Sequence, residues 1–385
     1  MTIHPRTAQL RRTRLAIAAF AVPALLLAGC GEDDAETETV AETEVPAETE
    51  TESQGDNEQV AADTETTALS IATGGTGGVY YPLGGGIATM IRNDVEGYDA
   101  TVQETNASVD NMLLVQRGSA DLALGVGDVV AAAAAGTGSF EEPLDICAIG
   151  ILYSNYMQPV TTEDTGITSV EDMRGMTISV GSPGSATEVG AIRVLEAAGI
   201  DPEEDIDRRQ LGAAETVAAL RDGTIDAGFW SGGLPTGALV DLASTGEMEL
   251  IAIGEYADEL ASEYGDYYVE QEIPANTYEG QTEAVSVIAS PNILVANTSM
   301  DEQLQQEITA AIFDNKQELI QVHPAAKELD ASTAGEIPFI ETCPGAQAYY
   351  AQIGQTEQAD QADQADQADQ ADQTGEASQA DQTGS

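Results

Sequence analysis

Apolar residues change their spacing repeatedly through the middle of the chain, and each change marks an element. Leu69 to Ala72 is a short run with the character of a buried strand. Val79, Leu83, Ile87 and Ile91 then recur every four residues, which predicts a helix from residue 79. Pro82 falls in its first turn, where a missing N–H is harmless. The alternation continues: a strand over 102–104, a helix over 109–117, a strand over 121–126, and an Ala-rich helix opened by Asp128 and ended at Gly136. A strand over 146–153 follows, with residues 156–160 carrying the chain out of its first lobe. Later come a helix that stops before Gly199, an amphipathic helix over 213–222, and a long apolar strand over 285–295. Strands alternating with helices predict α/β layers. About 285 residues suffice for two lobes, each with its own core.

Three of the strand–helix junctions are rich in glycine and hydroxyls. The first, Thr73 to Gly78, holds four glycines and cannot keep regular structure. A strand feeding a glycine loop at a helix N-terminus presents free N–H groups and the positive end of a dipole, which suits an anionic group. Gly75, Thr76, Tyr80 and Tyr81 are its candidate ligand-facing residues; a turn serving close packing alone is the plainer reading. A nucleotide site fails on detail, because no third glycine stands at the dinucleotide spacing and no P-loop lysine follows. The second junction offers Ser182, Ser185 and Thr187, which would equally cap a helix. The third, residues 225–235, offers Phe229 and Trp230, either core or the apolar wall of a cleft, beside Ser231. Ser108 stands where it would cap the helix over 109–117.

The stretch Gly74-Gly75-Thr76-Gly77-Gly78-Val79-Tyr80-Tyr81-Pro82-Leu83-Gly84-Gly85 resembles the opening signature of the TAXI solute receptors, the extracytoplasmic binding proteins of one branch of TRAP transporters. Residues 172–181, 225–235, 273–280, 323–327 and 344–350 are similar to later pieces of that family, in the same order. The resemblance covers roughly 69–350. It implies a two-lobed, periplasmic-binding-protein-like (type II) fold with hinge strands. It implies that Ser108 also lines the pocket, and that the solute is glutamate, glutamine or a related dicarboxylate. The solute would pass to a TRAP membrane permease driven by an ion gradient. Many family members carry glycine where this chain has Ala186, whose methyl group would narrow the approach of a ligand.

The ends are different. Arg6, Arg11, Arg12 and Arg14 precede an apolar run over 15–27 that is too short to span a bilayer, as in an export signal. It closes on Leu27-Ala28-Gly29-Cys30, which resembles a lipobox. Cys30 would then carry acyl chains and anchor the protein to the outer face of the cell membrane. Residues 31–68 are acidic and Thr-rich with few large apolar side chains, and residues 358–372 are five Gln-Ala-Asp triplets. Neither buries enough surface to fold, so both are expected to be disordered. The resulting division is a signal over 1–29, a linker over 30–68 and the first lobe over 69–158 and 289–354. The second lobe occupies 159–288 and the tail 355–385.

Composition sharpens this picture. The net charge is −54 and, between Leu69 and Gly354, 45 acidic residues face nine basic ones. Such a surface repels itself unless salt screens it, which points to a saline habitat. It offers no basic stripe for nucleic acid. No histidine cluster, metal-ligand spacing or nucleophile elbow stands in the sequence, so neither an enzyme nor a metal or other cofactor is expected. Cys147 and Cys343 fall in segments of the first lobe and, outside the cell, would either remain two thiols or be joined. The expected protein is a monomeric receptor for a small carboxylate. A lipoprotein sensor reporting to a membrane kinase is the alternative, and a purely structural surface lipoprotein the third.

Overall fold

The computed structural model describes residues 66–245 and 248–354. The expected signal, Cys30, nearly all of the acidic linker and the Gln-Ala-Asp tail lie outside the described residues.

The first lobe opens with β1 (Thr67–Ala72), α1 (Tyr80–Asp94), β2 (Tyr98–Gln103), α2 (Ser108–Gln116), β3 (Leu122–Val126), α3 (Gly127–Ala135) and β4 (Ile146–Met157). β1 begins at Thr67, two residues inside the stretch assigned to the linker. The second lobe holds β5 (Val160–Thr162), β6 (Thr177–Ser179), α4 (Ala186–Ala197), β7 (Asp207–Arg209), α5 (Ala213–Arg221) and β8 (Ala227–Gly228). It continues with β9 (Ser231–Gly232), α6 (Gly237–Ala243), β10 (Met248–Leu250), α7 (Ala257–Tyr264) and β11 (Val269–Ile273). The long β12 (Val285–Asn297) returns to the first lobe, followed by α8 (Glu302–Asp314) and α9 (Lys316–Val322).

The two sheets repeat one plan. In the first, β2, β1 and β3 run parallel and β12 lies antiparallel beside β3, then β4 beside β12, and the second-lobe strands β9 and β11 extend it by pairing with the far ends of β4 and β12. In the second, β7, β6 and β8 run parallel, β5 lies antiparallel beside β8, and β10 beside β5. Each lobe therefore takes a strand from chain that has just left the other. This is the two-lobed α/β, periplasmic-binding-protein-like architecture expected from the sequence.

Two separate cores follow from that plan. Ile149, Leu152 and Tyr153 of β4 pack in the first, while Tyr156 and Met157 pack in the second. On β12, Val287 to Ala289 belong to the second core and Ile293 to Ala296 to the first. The crossing points are therefore the polar residues between, Asn155 on one strand and Ser290 and Asn292 on the other. Asn155 pairs with Ser290, and Tyr153 with Asn292. Residues two apart on a strand share a face, so these four side chains form one patch across the hinge. Cys147 on β4 is bonded to Cys343, their Cα atoms 5.0 Å apart, and ties the C-terminal segment to the first sheet.

Candidate functional site

A cavity of about 180 Å³ lies between the lobes. Its walls are built from helix beginnings. Val79 and Tyr80 open α1, Ala107 and Ser108 open α2, Ser185 to Thr187 open α4, and Gly212 to Glu215 open α5. Only α4 of these four is capped by a side chain, with Ser185 Oγ accepting from Glu188 N–H at 3.1 Å. The first N–H groups of a helix have no intrahelical partner, so the cavity is ringed by donors and by the positive ends of dipoles.

Eight of the ten residues anticipated as ligand-facing line this space: Gly75, Thr76, Tyr80, Ser108, Ser182, Ser185, Thr187 and Trp230. Two do not. Tyr81 is one residue past Tyr80 on α1, and at 3.6 residues per turn its side chain points about 100° away. Phe229 is 1% exposed and belongs to the second-lobe core. It precedes Trp230 on an extended segment, where neighbours face opposite ways. Ser108 is also corrected as a cap: the N-cap residue is Ala107, and Ser108 is the first residue of α2. Its Oγ instead accepts from Val126 N–H at 3.3 Å and lies 3.4 Å from the Tyr80 hydroxyl. Thr187 Oγ1 accepts from Ser231 N–H at 3.0 Å, so it braces the third junction as well as facing the cavity.

Tyr80 links the cavity wall to the hinge behind it. The Tyr80 hydroxyl accepts from Asn292 Nδ2 at 2.6 Å and from Asn155 Nδ2 at 3.3 Å. Burial pushes its phenol far above the ordinary range, so it stays neutral. The opposite oxygens of both amides, with Tyr153 Oη and Ser290 Oγ, are buried without a hydrogen-bond partner. A polar chain thus runs from Tyr80 at the cavity wall into the crossing strands.

Loop 104–107 supplies residues that were less legible. Ala107 sits at φ 76°, ψ −144°, a conformation normally left to glycine. Thr105 Oγ1 holds it there, accepting from Ala107 N–H at 3.0 Å while lying 2.6 Å from Asn111 Oδ1. Asn111 Nδ2 in turn donates to the Thr73 and Leu124 carbonyls at 2.6 and 2.8 Å. Among the described residues no Lys, Arg or His lines the cavity; the charged residues at its edge are the exposed Glu104 and Glu215.

The lobes meet across this space. Ala238 N–H donates to the Gly77 carbonyl at 3.2 Å and Val109 N–H to the Gly184 carbonyl at 3.1 Å. A Cβ on Gly78 would fall 2.9 Å from the Trp230 ring, so glycine is required for this approach.

The chain belongs to the NMT1-like family, which it matches over residues 71–354. Among solved structures it is similar to the periplasmic aliphatic sulphonate binding protein of Escherichia coli, at 16% identity and a TM-score of 0.40, covering 74% of this chain and 83% of that one. MatC from Rhodopseudomonas palustris, with bound malate, gives 12% identity and a TM-score of 0.48 over 68% and 88%. The binding component of an ABC phosphonate transporter from Pseudomonas aeruginosa gives 11% and 0.47 over 68% and 79%.

Proposed function

We propose that this member of the NMT1-like family is an extracytoplasmic solute receptor of the TAXI type. It holds a small amino-acid carboxylate between its lobes and delivers it to a TRAP membrane permease. One observation carries the reading: the N-terminal turns of four helices meet around one cavity that no base of the described residues lines. A carboxylate there gains about 0.3–1 kcal/mol from each dipole, and hydrogen bonds to its charge contribute roughly 1.5–3 kcal/mol apiece. An arginine clamp is not needed.

The two glutamates at the rim refine the choice of solute. Glu104 and Glu215 complement an ammonium group and repel a dianion. Among glutamate, glutamine and related dicarboxylates, the amino acids are therefore favoured. The receptor is monomeric and held at the outer face of the cell membrane through lipid on Cys30, with residues 31–66 as its tether.

A thermal-shift series at fixed ionic strength tests this. Binding to the folded state raises apparent stability by mass action, so L-glutamate or L-glutamine should raise Tm saturably. Malate and succinate should raise it far less, and calorimetry should find one site per chain. A Tm indifferent to every amino acid and organic acid removes the reading.

A further inference from the structure

Asp128, second residue of α3 in the first lobe, is 2% exposed at its side chain. A carboxylate this deep requires compensation. Its Oδ1 accepts from Val129 N–H at 2.8 Å. Its Oδ2 takes Arg193 Nη1 at 3.1 Å and the Tyr268 hydroxyl at 2.6 Å. Both of those donors come from the second lobe, Arg193 on α4 and Tyr268 just ahead of β11. The guanidinium also lies 4.1 Å above the Tyr264 ring. Among the described residues there are six ion pairs, and the other five each join residues of a single lobe. The pair that crosses between lobes is also the buried one. Burial pushes the Asp128 carboxyl up even with Arg193 beside it.

We propose that Asp128, Arg193 and Tyr268 form an interlobe latch that sets how firmly the cleft stays closed. The inference rests on the solute-binding reading above. α4 provides the connection. Its first turn, Ser185 to Thr187, is cavity wall, and Arg193 lies under two turns further along the same rigid rod. A movement of α4 that opens the wall draws the guanidinium off Asp128 and leaves a buried carboxylate unpaired. None of the three residues lines the cavity, so all three are positioning residues.

Two amides report closure independently of any solute. Val109 and Ala238 are the second residues of α2 and α6, where no intrahelical acceptor exists. Their N–H groups are bonded only across the cleft, to Gly184 and Gly77. Hydrogen exchange on the full chain, without added solute, therefore tests the latch in wild type, Arg193→Met and the neutral pair Asp128→Asn with Arg193→Met. Both variants should exchange at Val109 and Ala238 at least tenfold faster, while Leu124 and Val295 in the first sheet stay slow. The neutral pair keeps the test open should Arg193→Met alone fail to fold. Wild-type exchange at both amides in a folded neutral pair would overturn the latch. Dissociation of L-glutamate and L-glutamine, measured next, should be at least tenfold faster in the neutral pair. If the variants open but wild type binds neither amino acid, the latch stands and the solute reading falls.

Discussion

Trp230 Nε1 donates to Thr236 Oγ1 at 3.1 Å while the half-buried indole ring forms part of the cavity wall. Thr236 is itself fixed, accepting from Gln158 Nε2 at 3.3 Å and donating its N–H to the Tyr278 hydroxyl at 3.0 Å. The ring is thus clamped at its polar edge and open at its face. It is the one tryptophan in the chain. Its fluorescence should change in wavelength or intensity as solute saturates the site, with the affinity that calorimetry gives. A silent indole during calorimetric binding would place the solute elsewhere.

Side-chain truncations should separate wall from neighbour. Thr76→Ala should weaken solute binding by about 1 kcal/mol or more through a lost hydrogen bond, with little change in Tm. Ser185→Ala should weaken binding and also lower stability by about 0.5–2 kcal/mol, because Ser185 caps α4. Tyr81→Phe should leave affinity unchanged. Equal losses in all three variants would mean that the cavity is not the binding site.

Thiol counting on denatured, unreduced protein lacking the segment with Cys30 should find none, since Cys147 and Cys343 are bonded. The bridge spans 196 residues, and replacing both cysteines by alanine should cost about 2–5 kcal/mol of stability. Two free thiols, or an unchanged denaturation midpoint, would contradict this.

Charge predicts a salt dependence. Forty-five acids against nine bases between residues 69 and 354 repel one another strongly in dilute buffer. The screening length shrinks from about 30 Å at 0.01 M salt to about 3 Å at 1 M. Tm should climb steeply over that range in potassium or sodium chloride; a flat profile removes the saline-habitat reading.

How the chain responds to acid turns in part on His323, the one histidine of the described residues. Its Nδ1 accepts from Ala325 N–H at 3.2 Å, and burial pushes its ring below the usual range. With the folded pKa depressed, the unfolded chain binds the proton first. The stabilisation is therefore intact above about pH 6.5 and is lost as pH falls from there through the folded value. His323→Asn keeps an acceptor that does not titrate. Its Tm should fall less than wild type between pH 7 and 5, and parallel curves would exclude His323 as the group responsible.

Much of this was legible because local signals agreed with the global fold. The four-residue period from Val79 to Ile91 marked α1, the glycine and hydroxyl junctions marked the walls at α1, α4 and the Trp230 turn, and Ser108 marked the one at α2. The wall at α5 escaped, because Gly212 to Glu215 offers no hydroxyl and the helix over 213–222 reads as an ordinary amphipathic one. Ala107 escaped because a strained backbone leaves no trace when the residue is not glycine. The hinge contact escaped because Tyr80 meets Asn155 and Asn292 across 75 and 212 residues, and separations of that size have no periodicity to detect. Phe229 and Trp230 needed only the alternation of an extended segment to be told apart. The two-residue strands β8 and β9 are too short to display it.

The bridge between Cys147 and Cys343 has a topological consequence. The entire second lobe lies between those two cysteines, so it is a closed covalent ring and not a linear insertion. One backbone cut anywhere in that ring leaves a single molecule, with both segments of the first lobe still joined through sulfur. A protease that nicks an exposed loop of the second lobe therefore releases no fragment until the protein is reduced. Under oxidising conditions the cut chain keeps both halves of its cleft on one covalent frame.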